Sequence, residues 1–494
     1  MGLEEEFENS NLEKKKIVFP AYQTSNRYRN LYGDVRTWVR ELIQNADDAG
    51  ATSISFNVDL PKSIEVMNDG NSFCEEDVTR LLTPTLGGKS YDKTGTLNVG
   101  ALSVLSVSDQ PLYHSGTILL KFDMNHNSRD FVPYVNENYE KHQSGTRVIL
   151  PLHERLSKDD LLKLEQIDSY LAKNSFLLFT PNLQRIEVNY SSRKVLFEKK
   201  IEDKVSGIGD KKRSKLEKLI IQKIIKKGKK EKLSDRWQNF QKTIPLPRKY
   251  AEIYPENKKN PSEIKINVNI AFFLDSKNSF QRIEYPIYII YPSETPIGLG
   301  LVISSNFRPD TARKGFATDG LEGRFNRYLL RRLADFLEDV LLYYYNQWKD
   351  YSQSKKQHSF ISLLNCLYYN ETQTPLEPYI KKTLLEQVKK FLSSHLINRE
   401  GEISHIKKTV IAEANLWNFF NEEYAFLPPI ENRKIIDFLK NMGVRELTIN
   451  DLVESISSGE LKSANKLSKA WDFLIEHQDK LTPKNTAKYL LNWL

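Results

Sequence analysis

Residues 40–50 read Arg-Glu-Leu-Ile-Gln-Asn-Ala-Asp-Asp-Ala-Gly, and this stretch limits what the chain can become more than any other. At roughly 100° per residue, Glu41, Asn45 and Asp48 fall within about 60° of one another on a helix. Val35, Trp38, Val39, Leu42, Ile43 and Ala46 supply the apolar remainder. A carboxylate, an amide and a second carboxylate on an otherwise buried helix carry a desolvation penalty unless something binds there. Gly50 stands where a helix stop is expected.

The strands after it make the stripe more informative. Ser53 to Val58 alternates, with Ile54, Phe56 and Val58 on one side, and Ile64 to Met67 reads as a second strand after Asp59-Leu60-Pro61-Lys62. That strand runs into Asn68-Asp69-Gly70-Asn71. Alone, Asp-Gly is a turn signal. Leu82 to Gly100 is rich in Gly, Thr, Ser and Lys without apolar periodicity and reads as a mobile loop. Its Gly87-Gly88-Lys89-Ser90 resembles the end of a phosphate-binding P-loop, but Thr83 stands where the first glycine belongs and no helix continues from Tyr91. Ala101 to Val107 is expected to begin a helix beneath this loop. Thr117 to Phe122, Asp130 to Val135 and Thr146 to Leu150 read as strands, Asp159 to Phe176 as helix, and Arg185 to Val188 as a closing strand.

These phrases resemble the ATP-binding domain shared by gyrase, heat-shock chaperones, histidine kinases and MutL, the GHKL or Bergerat-fold ATPases. The wording is most similar to sacsin-like proteins: Arg40 to Ala49, then Asn68-Asp69-Gly70 with Phe73, then Ser103-Val104, Asp109-x-Pro111 and Ser115-Gly116, and a late Gly-Thr. The resemblance spans about residues 20 to 190. It implies Glu41 as general base on the attacking water, Asn45 as the ligand of Mg²⁺, and Asp48 on the nucleotide sugar or supporting the helix. It implies Asp69 accepting from the adenine amino group, Gly70 allowing close approach, and Thr146 backing the adenine contact through a water. Gly95 and Gly100 would flank a phosphate-binding lid in which Asn98 replaces the usual middle glycine. Asn tolerates positive φ better than most residues, and its side chain would crowd the phosphate and slow hydrolysis. Lys89 is either a phosphate ligand or a solvated lysine.

Beyond this domain, Lys211 to Lys232 is densely basic, with Leu216, Leu219, Ile220, Ile224 and Ile225 at near-helical spacing. It reads as an amphipathic linker helix or exposed insertion, or as a contact to a nucleic-acid backbone. Ile264 to Leu274, Ile287 to Tyr291 and Leu301 to Phe307 are strand-like. The last of these leads to Arg313-Lys314. By resemblance to the second domain of related ATPases, Arg313 reaches the γ-phosphate, with Lys314 in reserve; an ordinary surface role is the competing reading. From Leu321 the chain reads as mostly helical. Leu329 to Trp348 carries a broad apolar stripe, and similar spacing recurs near Leu384, Val410, Ile435 and Leu467. Leu439 to Val444 with Leu447-Thr448 is similar to a helix-end phrase of sacsin-like chains.

At 494 residues the chain exceeds one ordinary core. The expected architecture is α/β: a Bergerat-type α/β sandwich over 1–200, a basic linker or insertion at 201–240, an α/β transducer-like middle domain over 241–330, and a helical region over 331–494. No apolar run has the length of a membrane span, and the acidic-then-basic start is not a signal peptide. Position 6 is Glu, against myristoylation. Cys74 and Cys366 suit a reducing, cytoplasmic setting, and eight histidines without ligand spacing argue against zinc. A net charge of +8 and pI near 9.0 permit a nucleic-acid partner without requiring one.

Two functions remain open. One is an Mg²⁺-dependent ATPase acting as a conformational switch, chaperone-like or part of a larger microbial antiviral-defence assembly, with a homodimer or protein client as partner. The other is a nucleotide-gated module that binds nucleic acid or protein with little hydrolysis.

Overall fold

A mixed β-sheet organises the first part of the computed structural model. Its strands are β1 (Glu13–Lys14), β2 (Ser53–Asp59), β3 (Ser63–Asn68), β4 (Leu112–Gly116), β5 (Ile118–Asn125), β6 (Asp130–Asn136), β7 (Gln143–Pro151), β8 (Arg185–Tyr190), β9 (Lys194–Ser206), β10 (Ser214–Lys227), β11 (Lys229–Pro245) and β12 (Lys265–Leu274). They lie in the order β1-β6-β5-β4-β7-β3-β2-β8-β9-β10-β11-β12, and the sheet continues from β12 into Val302–Ser305 and Pro286–Ile289. Most neighbours are antiparallel, but β2 and β8 run parallel, with Ile54 opposite Ile186 and Phe56 opposite Val188. The structure describes residues 13–14, 35–75, 77–78, 101–125, 130–136, 139, 141–208, 214–227, 229–253, 263–289, 291–309, 316–412, 416–420, 424–461 and 463–487.

The chain divides into two compact units, one of residues 1–271, 285–295 and 302–329, the other of the remainder. In the first, helix α1 (Thr37–Asp48) buries Trp38, Val39, Leu42, Ile43 and Ala46. Trp38 meets Phe56 of β2 with ring centroids 6.1 Å apart. β2 alternates as its sequence dictates, Ile54, Phe56 and Val58 inward. The stretch expected as one helix after Asp159 is two, α2 (Lys158–Glu165) and α3 (Ile167–Asn174). Ser157 and Asp160 form a capping box at the start of α2, and Ser175 ends α3 in the left-handed region.

The basic run is not a helix. Lys211 to Arg213 lie outside the described residues, and from Ser214 the run forms β10, paired from Ser214↔Lys242 to Lys227↔Lys229 with β11 and along its other edge with β9. Leu219, Ile220, Ile221 and Gln222 are consecutive and all buried. A strand covered on both faces shows continuous rather than alternating apolar residues, and this imitated helical spacing. The β-branched isoleucines favour the strand.

In the second unit, the part of helix α4 (Gly320–Trp348) from Leu330 onward buries Leu330, Leu333, Phe336, Leu337, Val340, Leu341 and Tyr344. After it come helices α5 (Gln353–Leu367), α6 (Glu386–Ser394), α7 (Arg433–Met442), α8 (Ile449–Ser457) and α9 (Ala464–Glu476). Val410, read as helical, lies instead in the strand Thr409–Ala412, which sits between Ala425–Phe426 and Arg445–Leu447 in a small parallel sheet. Thr-Val-Ile is a β-branched run with little helical preference. Gly443 caps α7 at φ 103, as its phrase anticipates. Among the described residues, no helix is long and apolar enough to cross a membrane.

Candidate functional site

The end of α1 is where the sequence-predicted residues gather. Glu41 is buried, Asn45 half-buried and Asp48 open to solvent, so the polar stripe grades from the interior to the surface along one helix face. Glu41 Oε1 lies 3.4 Å from the Arg40 guanidinium. The Ala49 and Gly50 amides bond back to Asn45 and Asp47 oxygens at 3.0 and 2.9 Å, and Gly50 takes φ 77. The Asp69-Gly70 loop docks on this terminus: the Asn71 amide donates to the Ala49 oxygen at 2.8 Å. A Cβ on Gly70 would stand 2.9 Å from Ala49 Cβ and 3.1 Å from its oxygen. Only glycine lets the loop lie this close.

Asp69 is already fully used by the protein. Oδ1 accepts from the Thr52 and Ser53 amides, both at 2.8 Å, and Oδ2 from their hydroxyls at 2.5 and 3.0 Å. Partial burial works to raise its pKa, but these bonds, led by the Thr52 hydroxyl, outweigh it and hold the carboxyl below the usual range. Contact with a ligand amine therefore requires exchange with one of the two hydroxyls, a point the sequence did not reveal.

Thr146 lies behind this loop. β3 pairs with β7 so that Asn68 is opposite Thr146. The Thr146 and Ser115 hydroxyls are buried 2.7 Å apart, and Ser115 Oγ also accepts from the Phe73 amide at 2.9 Å. Gly145 sits at φ 71 with the position of its missing Cβ only 2.0 Å from the Asn68 oxygen. The structure thus brings Glu41, Asn45 and Asp48 on α1, Asp69 and Gly70, and Thr146 into one region. Lys89, Gly95, Asn98, Gly100, Arg313 and Lys314 lie outside the described residues. The short 3₁₀ turn Ala101–Ser106 packs against α1, where a helix was expected to begin. Its Ser103 hydroxyl is buried with no partner among the described residues.

Asp47 is a residue that the sequence reading missed. It is buried beside Asp48, and its Oδ1 accepts from the Asn182 and Leu183 amides at 2.9 and 2.8 Å. The Asn182 side chain returns a bond to the Asp47 backbone oxygen at 2.9 Å. Burial nonetheless raises the Asp47 pKa. Asp48 is pushed up to about 7, first by desolvation of its carboxyl, which protein crowds although the residue is open to solvent on one side, then by the charge of Asp47 and, against a bond from Gln44, that of Glu41. Adjacent acidic residues gave a signal of charge but none of which would be tied inward.

Three lysines of β10 are ion-paired. Lys215 meets Glu217 at 2.8 Å, Lys218 meets Asp203 at 2.9 Å, and Lys223 meets Asp168 at 3.1 Å. Asp168 is buried, and that burial is overcome by bonds from Arg193 and Lys223 that keep it ionised. Among the described residues, no group of three or more His, Cys, Asp or Glu side chains is arranged to hold a metal.

No family model matches the chain. Part of it is similar to sacsin of Homo sapiens, 27% identical over 142 residues. That alignment takes in 24% of this chain and 3% of sacsin, so the chain spans a small fraction of that protein's length. The similarity is to a sacsin-like segment.

Proposed function

We propose that the first unit binds ATP as a sacsin-like, GHKL-type nucleotide switch and hydrolyses it slowly. The observation that carries this reading is the docking of the Asp69-Gly70 loop on the end of α1 with the buried Ser115–Thr146 pair behind it. The sacsin similarity supports it independently. Asp69, kept ionised, is a permanent acceptor suited to a base amine, with Thr146 alongside. Gly70 lets the Asp69 loop seat against the end of α1.

The residues present also fit Mg²⁺, which keeps several waters and uses few protein ligands when phosphates complete its shell. Asn45 would hold it without any carboxylate cluster. Mg²⁺, when bound, supplies charge neutralisation to the phosphates. Glu41, buried and anchored beside Arg40, would orient a water and accept its proton. Arg313 is the proposed γ-phosphate contact. Conformational output, toward a protein client or a larger assembly, is the role proposed for turnover. Lys215, Lys218 and Lys223 are ion-paired and so are the part of the basic run least suited to a nucleic-acid backbone.

The test is calorimetric ATP binding and phosphate release with Mg²⁺. Wild type is expected to do both. Glu41→Ala is expected to bind and lose about 10²-fold or more in release, the contribution of a positioned base, and Asp69→Ala to lose binding. Equal release by wild type and Glu41→Ala, or ATP bound as well by Asp69→Ala, overturns the proposal.

A further inference from the structure

A polar cavity of about 800 Å³ opens in the first unit, walled by the end of α1, the 178–184 segment, β9, β10, β11, β12 and the strand Val302–Ser305. Only Asp48 is shared with the residues assigned to nucleotide. The volume suits a small molecule, yet the lining departs from the apolar norm of ligand pockets. Six carboxamides line it, Gln184, Asn239, Gln241, Asn267, Asn269 and Asn306, beside seven charged side chains and the Ser304 hydroxyl. Asn239 is 5% exposed, and its amide oxygen has no hydrogen-bond partner among the described residues. A buried acceptor left unpaired destabilises a fold, so a rotation of the Asn239 side chain that turns its oxygen to the cavity would gain a donor from a ligand there.

The charges on the cavity wall are nearly balanced, with four carboxylates (Asp47, Asp48, Glu198 and Glu217) against three ammonium groups (Lys199, Lys200 and Lys215). Lys200 lies 3.1 Å from Glu198 and Lys215 lies 2.8 Å from Glu217. The Lys199 ammonium donates to the Thr180 carbonyl at 2.5 Å and its hydroxyl at 3.1 Å. Burial brings Lys199 down to about 8, while Asp48 is raised, so both weaken as fixed charges. A carboxamide presents a donor and an acceptor side by side, the match of two vicinal hydroxyls. We propose that this cavity is a second binding site, separate from the nucleotide site, for an uncharged polyhydroxylated ligand of mono- or disaccharide size.

The proposal stands whether or not ATP binds. Titrations of the full chain with glucose, mannose, N-acetylglucosamine, maltose and sucrose, monitored by calorimetry and saturation-transfer NMR, test it, with phosphate and arginine as charged probes. At least one neutral sugar is expected to bind saturably below about 10 mM, an affinity of the weak kind. Asn239→Leu is expected to weaken that binding at least tenfold while ATP binding is unchanged. Gln241→Met, on the half-buried wall, serves if Asn239→Leu fails to fold, and is expected to weaken it similarly. Failure of all five sugars to bind, equal binding by the variants, or occupation by phosphate or arginine in place of a sugar overturns the proposal.

Discussion

Replacing Asp47 with alanine tests whether the end of α1 is held by one buried carboxylate. The change removes the acceptor of two backbone amides, Asn182 at 2.9 Å and Leu183 at 2.8 Å, at a point where Asp47 is 2% exposed. Each buried amide left unpaired costs about 1–3 kcal/mol. Loss of the carboxylate also removes its desolvation, which outweighs its bonds and raises its pKa. The net local destabilisation is therefore about 2–4 kcal/mol, an increase of about 30- to 900-fold in the opening equilibrium. Hydrogen exchange of α1 amides, resolved by mass spectrometry, reads this without assuming that the two units unfold together. Asp47→Asn keeps the acceptor and drops the charge, so its protection is expected within about 1 kcal/mol of wild type. The pH profile separates the two. A carboxyl with a raised folded pKa stabilises most below its unfolded value, near about 4, and loses that contribution as pH rises through the folded value. Wild type is expected to lose α1 protection over that rise and Asp47→Asn to lose less. Unchanged exchange in Asp47→Ala would refute the reasoning.

The same geometry sets three other outcomes. Gly145→Ala places a Cβ 2.0 Å from the Asn68 backbone oxygen at a left-handed φ, so urea denaturation should show a loss of about 3 kcal/mol or more, and Gly145→Ser no recovery. Asp48→Asn should become more stable relative to wild type as pH rises toward about 7, the raised value of Asp48; parallel thermal-unfolding profiles would count against it. Asp168→Ala leaves Arg193 and Lys223 without their shared carboxylate and should cost about 3–5 kcal/mol in urea. Because the folded Asp168 pKa is depressed, wild type should shed that stability only as pH falls below about 4.

The local grammar of the first unit was legible. Alternation in Ile54, Phe56 and Val58 and the apolar spacing of α1 depend on short-range periodicity, which one sequence carries. The strand β4 went unread because every residue of Leu112–Gly116 is buried, leaving no alternation to see. The error over β10 has the same cause, a strand covered on both faces. The stripe on α1 identified residues that need an explanation, but not their division of labour. Glu41 and Asp47 are both buried acids, yet one faces a guanidinium on its own helix and the other two amides about 135 positions away. Such pairings belong to topology, not to local pattern.

That separation has a consequence for how the protein is made. Helix α1 can form as soon as it is synthesised and soon meets Asn71, but the Asp47 carboxylate near its end gains the Asn182 and Leu183 amides only much later, and the loop it receives is backed by Thr146. β2, directly beneath, gains its parallel neighbour only with residues 185–190. Pairing across so many residues must overcome chain-closure entropy before any contact offsets it. On the ribosome, the buried carboxylate of Asp47 would wait without its two amide donors while nearly 140 further residues emerge. The stretch that most defines the fold would become secure well after it is made, leaving an interval in which a holding chaperone would find it.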